Sequence, residues 1–264
     1  MKKILVPLGV SDNAVHTLKY ALSLAQSSGA QLFVMDAFTP SFHNTYILNA
    51  RDAVNRNNAK RLKELIASID NGATEIQWVT YEGDLLQGID ALDKRVNLDM
   101  IVTGPMPNAD DPTIFLGPTA GRVVKKTKLP VMVVPEETHF TPYKKALFAF
   151  KRGEVKGHRS LEPLRKLHEK YTFLLQLLLV KIPGQKREEQ QIDHEVVELS
   201  NDLRTTENAT VYQGVLEHFR EFQPDLLVVF ARERGFFEKL LTADVVYKKD
   251  FFTTVPLLVL KNRR

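Results

Sequence analysis

The sequence predicts an α/β fold made twice in tandem, each copy a parallel sheet with helices on both faces. Three observations lead there. Strand-sized apolar runs alternate with stretches of helical period, the pattern of right-handed β–α–β crossovers. The runs are continuously apolar, as in Met100-Ile101-Val102 and Val131-Met132-Val133-Val134, which suits strands buried on both sides. The order also recurs: Asp99 stands 31 residues before Pro130, and Asp225 stands 31 residues before Pro256. Both copies start alike, Lys2-Lys3-Ile4-Leu5-Val6 against Lys144-Lys145-Ala146-Leu147-Phe148. Recurrence of both ends in the same order marks an internal repeat.

In the first copy, residues 2–6 form the opening strand. Ser11 or Asp12 then caps a helix whose Ala14, Leu18, Ala21, Leu22 and Ala25 share one stripe. Gly29 stands where a left-handed residue ends it. A strand over 31–37 and a helix ending near Asn71-Gly72 follow, with Leu62, Leu65, Ile66 and Ile69 facing inward. A short strand over 75–80 precedes Gly83-Asp84, which opens another helix. Strand four is 100–103, a helix runs near 117–128, and strand five is 131–134. The second copy repeats this order from Tyr143 to Leu260.

A chain of 264 residues accommodates two ordinary domains, here 1–138 and 143–264, joined by the polar, proline-ended stretch 136–142. The longest apolar candidate, 173–180, is interrupted by Gln176 and is strand-sized, too short to span a bilayer. Pro7, Gly9 and Asp12 break the start as an export signal, so a cytoplasmic protein with no membrane partner is expected. The absence of cysteine excludes disulfides, thiol nucleophiles and cysteine-ligated metals. Charge is uneven: residues 1–142 carry 14 basic and 15 acidic side chains, the remainder 22 and 17. The basic residues are interleaved with acids, as in Lys186-Arg187-Glu188-Glu189, which fits a solvated helix and no nucleic-acid partner.

Two segments carry a family resemblance. Residues 2–7 with Ser11-Asp12-Asn13-Ala14 and Leu18-Lys19-Tyr20-Ala21 resemble the opening of universal stress protein (UspA-like) domains. Leu116-Gly117-Pro118-Thr119, Val123-Val124-Lys125-Lys126 and Leu129-Pro130-Val131 are similar to that family's closing segment. The resemblance implies a Rossmann-like or flavodoxin-like sheet of order 3-2-1-4-5 in each copy. It also implies pairing of the two copies through strand five, 131–134 with 257–260, as an intramolecular pseudo-dimer. A homodimer is the further assembly considered, and the protein partner is unspecified.

Some members of that family bind ATP with a motif G-x2-G-x9-G-[ST] after strand four, and an Asp after strand one meets the adenosine end. The crevice so implied falls on Gly9, Val34, Gly104, Gly117 and Thr119. The motif is half kept. Gly104 and Gly117 match, but Pro107 replaces the second glycine, Pro118 the adjoining Ser/Thr, and Gly9 the aspartate. Each proline removes an amide donor, and Asp110-Asp111 would repel a triphosphate. In the second copy the positions read Phe230, Glu233, Ala243 and Asp244, with Lys151 for the aspartate, so nothing of the motif remains. No cofactor is therefore expected; ATP in the first copy is the alternative.

Other candidates have plainer explanations. Asp110-Asp111 reads as a solvated pair and Asp193-His194-Glu195 as a solvated helix face. No H-E-x-x-H spacing and no G-x-S-x-G elbow occurs, so neither a metal nor a catalytic residue is assigned. Phe236-Phe237 and Phe251-Phe252 read as core, or as filler of a lost crevice. The expected function is a non-catalytic stress-response protein acting by interaction. An adenine-nucleotide (ATP or AMP) sensor or slow ATPase using the first copy is the alternative, and a related nucleotide hydrolase or transferase is the weakest reading.

Overall fold

The computed structural model describes residues 1–8, 14–39, 48–72, 74–105, 111–155, 157, 159–184, 191–200, 202–231, 245–249 and 251–261. The first half runs β1 (Lys3–Pro7), α1 (Ala14–Ser28), β2 (Gln31–Phe38), α2 (Leu48–Ala67), β3 (Ile76–Glu82), α3 (Leu85–Val96) and β4 (Met100–Thr103). It closes with β5 (Ile114–Leu116), α4 (Pro118–Lys126) and β6 (Val131–Val133). The second half runs β7 (Lys145–Phe150), α5 (Glu162–Tyr171), β8 (Leu174–Lys181), α6 (His194–Val197), β9 (Asp202–Glu207) and α7 (Val211–Phe222). It ends with β10 (Leu226–Phe230), β11 (Val246–Tyr247) and β12 (Leu257–Leu260).

Ten strands form one sheet in the order β3-β2-β1-β4-β6-β12-β10-β7-β8-β9. Each half is parallel with the expected 3-2-1-4-5 arrangement. The halves meet where β6 and β12 pair antiparallel, Val131 opposite Val259 and Val133 opposite Leu257. That pairing removes two exposed sheet edges at once. The two expected sheets are thus one continuous sheet.

The repeated residues make repeated bonds. Asp99 accepts hydrogen bonds from the amides of Lys2 and Lys3, and Asp225 from those of Lys144 and Lys145. The Lys3 ammonium reaches the Val96 carbonyl at the end of α3, and Lys145 the Phe222 carbonyl at the end of α7. Both helices then stop on a left-handed residue, Asn97 and Gln223. Lysine at a helix C-terminus satisfies an orphan carbonyl and suits the dipole.

Alternation along each strand splits the core into two layers. Ile4, Val6, Phe148 and Val228 pack on one face; Leu5, Leu147, Leu227 and Val229 pack on the other. Each layer runs through both halves, so the sheet is covered across the junction. The α1 stripe is buried as expected, and Gly29 takes φ +68° while the Ala30 amide bonds the Ala25 carbonyl. Leu62 of α2 and Ile69 just beyond its end are buried, with Leu65 and Ile66 packed against the same core.

Three features differ from expectation. The strands β5 and β11 form a separate antiparallel pair that the sequence pattern does not announce. The stretch 136–142 is more than a polar linker, because the Phe140 ring packs edge-on against Tyr20 and Tyr143. The second copy's order is compressed at α6, four residues where α2 has 20. Lys186-Arg187-Glu188-Glu189 and Phe236-Phe237 lie outside the described residues.

Candidate functional site

In the first half β1 lies between β2 and β4, so the chain leaves the C-terminal ends of β1 and β4 in opposite directions. Such a switch point opens a crevice. Among the described residues, Leu8 follows β1, Thr103 ends β4 with Gly104 next, Thr17 approaches from α1, and Gly117 opens α4. The Leu8 amide bonds the Met35 carbonyl, which leaves Leu8 buried.

The predicted residues are only partly brought together. Gly104 lies tight against α1: a Cβ there would stand 2.6 Å from Thr17 Oγ1. Gly117 is the N-cap of α4, and its amide donates to the Pro105 carbonyl at 2.9 Å. Its N–H is therefore engaged inside the loop, and Pro118 behind it has none to offer. Thr119 is exposed on the first turn of α4. Val34 is a core residue with no exposed surface, opposite Val6 on β1 and Trp78 on β3. Gly9, Pro107 and Asp110 lie outside the described residues, as do Glu233, Ala243 and Asp244 of the second half. Asp111 accepts from both the amide and the hydroxyl of Thr113, and the hydroxyl bond first holds its carboxyl below the usual range.

Two ion pairs near this end of the sheet are not evident from the sequence. Asp36, buried on β2, accepts from Arg61 of α2 at 2.5 Å. Burial pushes its carboxyl up, and the Arg61 charge offsets only part of that. Asp84 caps α3 through the Leu86 amide and binds Arg122 of α4 at 2.6 Å. The bond from Arg122 is the main reason its carboxyl sits low. Only an i-to-j separation of 25 and of 38 residues links these partners, and no local pattern spans such distances.

At the matching place in the second half the chain packs on itself. After β7, Gly153 forms a parallel bridge with Ile192, and a Cβ on Gly153 would lie 2.4 Å from the Ile192 side chain. The Gly153 amide bonds the Gln191 carbonyl, and its carbonyl accepts from the Asp193 amide. Asp193 in turn accepts from the Val155 amide, so the Asp193-His194-Glu195 triplet is tied into this plug at its first residue. His194 pairs with Glu198 in solvent. Phe230, at the place of the motif's first glycine, buries its ring against Phe148, centroids 5.0 Å apart. Lys151 is half-buried just past β7. A separate groove of about 730 Å³ runs beside α7, bordered by Tyr212, Leu216, Phe219, Phe252 and Thr254, with Leu227 at its floor. Among the described residues no three acidic or histidine side chains group as a metal site, and no helix is long and apolar enough to cross a membrane.

The model of the universal stress protein family matches residues 1–135. The chain belongs to the universal stress protein family. A crystal structure of a universal stress protein from Archaeoglobus fulgidus is similar over 98% of this chain and 96% of its own length, with TM-score 0.70 at 17% identity. A functionally unknown protein from Pseudomonas aeruginosa matches over 99% of this chain and 93% of its own, with TM-score 0.59 at 18% identity. These two likenesses are of fold. No curated protein matches the sequence. The family assignment accords with the resemblance of the opening and closing segments, all of which lie within the matched residues.

Proposed function

We propose that this universal stress protein is a non-catalytic tandem, with domains at 1–138 and 143–264, that acts through protein interaction and holds no nucleotide in either half. The observation that carries the reading is the bond from the Gly117 amide to the Pro105 carbonyl. A phosphate at a helix N-terminus is recognised by free backbone amides and the helix dipole. Here one amide of the third motif position is engaged within the loop and the next residue, Pro118, lacks one. Gly104, which in the family's motif lets backbone approach phosphate, is set against Thr17 of α1. In the second half, Ile192 packs on Gly153 just past β7 and Phe230 on Phe148, which supports the same reading there.

The test is to denature freshly purified full-length protein and chromatograph the supernatant for adenine nucleotides. No stoichiometric nucleotide is expected. Recovery of about one ATP or AMP per chain would replace this reading with a nucleotide sensor or slow ATPase of the first half.

A further inference from the structure

The loop that carries the first-half crevice is gripped by the second half. β5 lies between Gly104 and Gly117, and β11 lies at the matching place between β10 and β12. The two pair antiparallel, Leu116 opposite Val246 and Ile114 opposite Tyr247, and the Lys248 amide extends the ladder to the Thr113 carbonyl at 2.7 Å. Phe115 is buried edge-on against Phe251 and Phe252, centroids 5.4 and 5.7 Å away, and Phe251 leans on Tyr212 of α7. Gly117 and the start of α4 follow directly after β5. The far end of α4 is held as well, since the Lys261 ammonium donates to the Val124 carbonyl.

We propose that β11 and Phe251 of the second half are positioning elements for the first-half crevice, fixing Gly117 and the α4 N-terminus through β5. A three-residue strand has too few bonds to hold itself. Among the described residues its own half gives it no strand partner, and β5 pairs with β11 alone. The grip applies with or without a ligand in the crevice, so it stands or falls separately from the function proposed above. It gives the second half a task that needs no binding chemistry of its own, shaping the loop of the first.

Amide hydrogen exchange on the full chain reads this directly, because local opening is measured residue by residue. Phe251→Ala is expected to speed exchange at Phe115, Leu116 and Gly117 by on the order of tenfold or more. The amides of β1 and β4 are expected to keep their protection, and the single Trp78 its emission. Phe173→Ala, a buried second-half phenylalanine packed on His168 and Tyr143, is the control and should not single out 115–117. The chain has no native cysteine, so Leu116→Cys with Val246→Cys offers one defined disulfide between residues at cross-strand distance. Oxidation of that pair should restore protection at 115–117 in the Phe251→Ala background. The proposal is overturned by unchanged exchange at 115–117, by an increase spread evenly over the first half, or by failure of the cysteine pair to oxidise.

Discussion

The two switch points of the sheet are built from equivalent strands and differ in what packs beside them. In the first half the Gly117 amide bonds the Pro105 carbonyl, and Gly104 is set against a threonine side chain. In the second half Ile192 lies against Gly153 with its backbone as well as its side chain. A closure made by one side chain and one hydrogen bond is easier to alter than one made by main chain. The scaffold is kept in both halves, as the equivalent Asp99 and Asp225 bonds show.

This contrast makes a pair of substitutions the sharpest way to break it. A Cβ at Gly153 meets Ile192 Cγ2 at 2.4 Å and Ile192 Cα at 2.7 Å, so Gly153→Ala should cost about 1–3 kcal/mol, the usual range for overpacking. At Gly104 the Cβ meets only the Thr17 side chain among the described residues, Oγ1 at 2.6 Å and Cβ at 3.9 Å, with no backbone atom near, and Gly104→Ala should cost about 1 kcal/mol or less. Urea unfolding of the two variants checks the order; equal costs would erase the distinction between the closures.

The seam between the halves comes next. The hydroxyls of Tyr20 and Tyr143 are 2.8 Å apart in a buried cluster with Phe140. Tyr143→Phe strands the Tyr20 hydroxyl and should cost about 1–3 kcal/mol, whereas the double phenylalanine variant should cost less than the sum of the singles. Burial raises both phenols above their ordinary range. A raised folded pKa means the unfolded phenol ionises first, so stability should fall as pH rises past about 10. The double variant should flatten that alkaline fall.

Asp99 and Asp225 accept from equivalent amides, but Asp99 also binds Lys166 of α5 at 3.1 Å, across the seam. Burial pushes the Asp99 carboxyl up, yet the Lys2 amide and Lys166 together bring it below its usual range. Its contribution is therefore present above about pH 4 and lost as pH falls through the lower folded value. Asp99→Asn should cost about 1–2 kcal/mol at neutral pH and lose that acid dependence. Asp225→Asn should cost less, as measured by thermal melts between pH 3 and 7.

A pH effect opposite in sign to that of the two tyrosines is expected at Lys261, where burial lowers the ammonium to about 8. The unfolded chain keeps that proton to about pH 10.4, so stability should rise between about pH 8 and 10 by at most about 3 kcal/mol. Lys261→Met should remove the rise.

What the sequence made legible follows from how local each signal is. Strand and helix positions of the first half are periodic, and Gly29 and Asp84 are local caps, so they read correctly. The Asp–Pro spacing exposed the recurrence because both residues serve the same bonds in each half: the Ile101 amide bonds Pro130, and Leu227 bonds Pro256. The β5–β11 pair and the Asp36–Arg61 and Asp84–Arg122 bonds join segments with no shared period, and only folding brings them together. The candidate site was legible as a motif with two glycines kept. The partner of the Gly117 amide was not, because proline at 105 advertises no acceptor role for its carbonyl. Val34 was assigned to the crevice by resemblance, and its strand position places it within the core layer instead.

The most direct test of the account is a calorimetric titration of the full chain, freed of small molecules, with ATP and magnesium. The account predicts no saturable heat up to millimolar nucleotide. A stoichiometric isotherm with micromolar affinity, abolished by Gly104→Val, would contradict it.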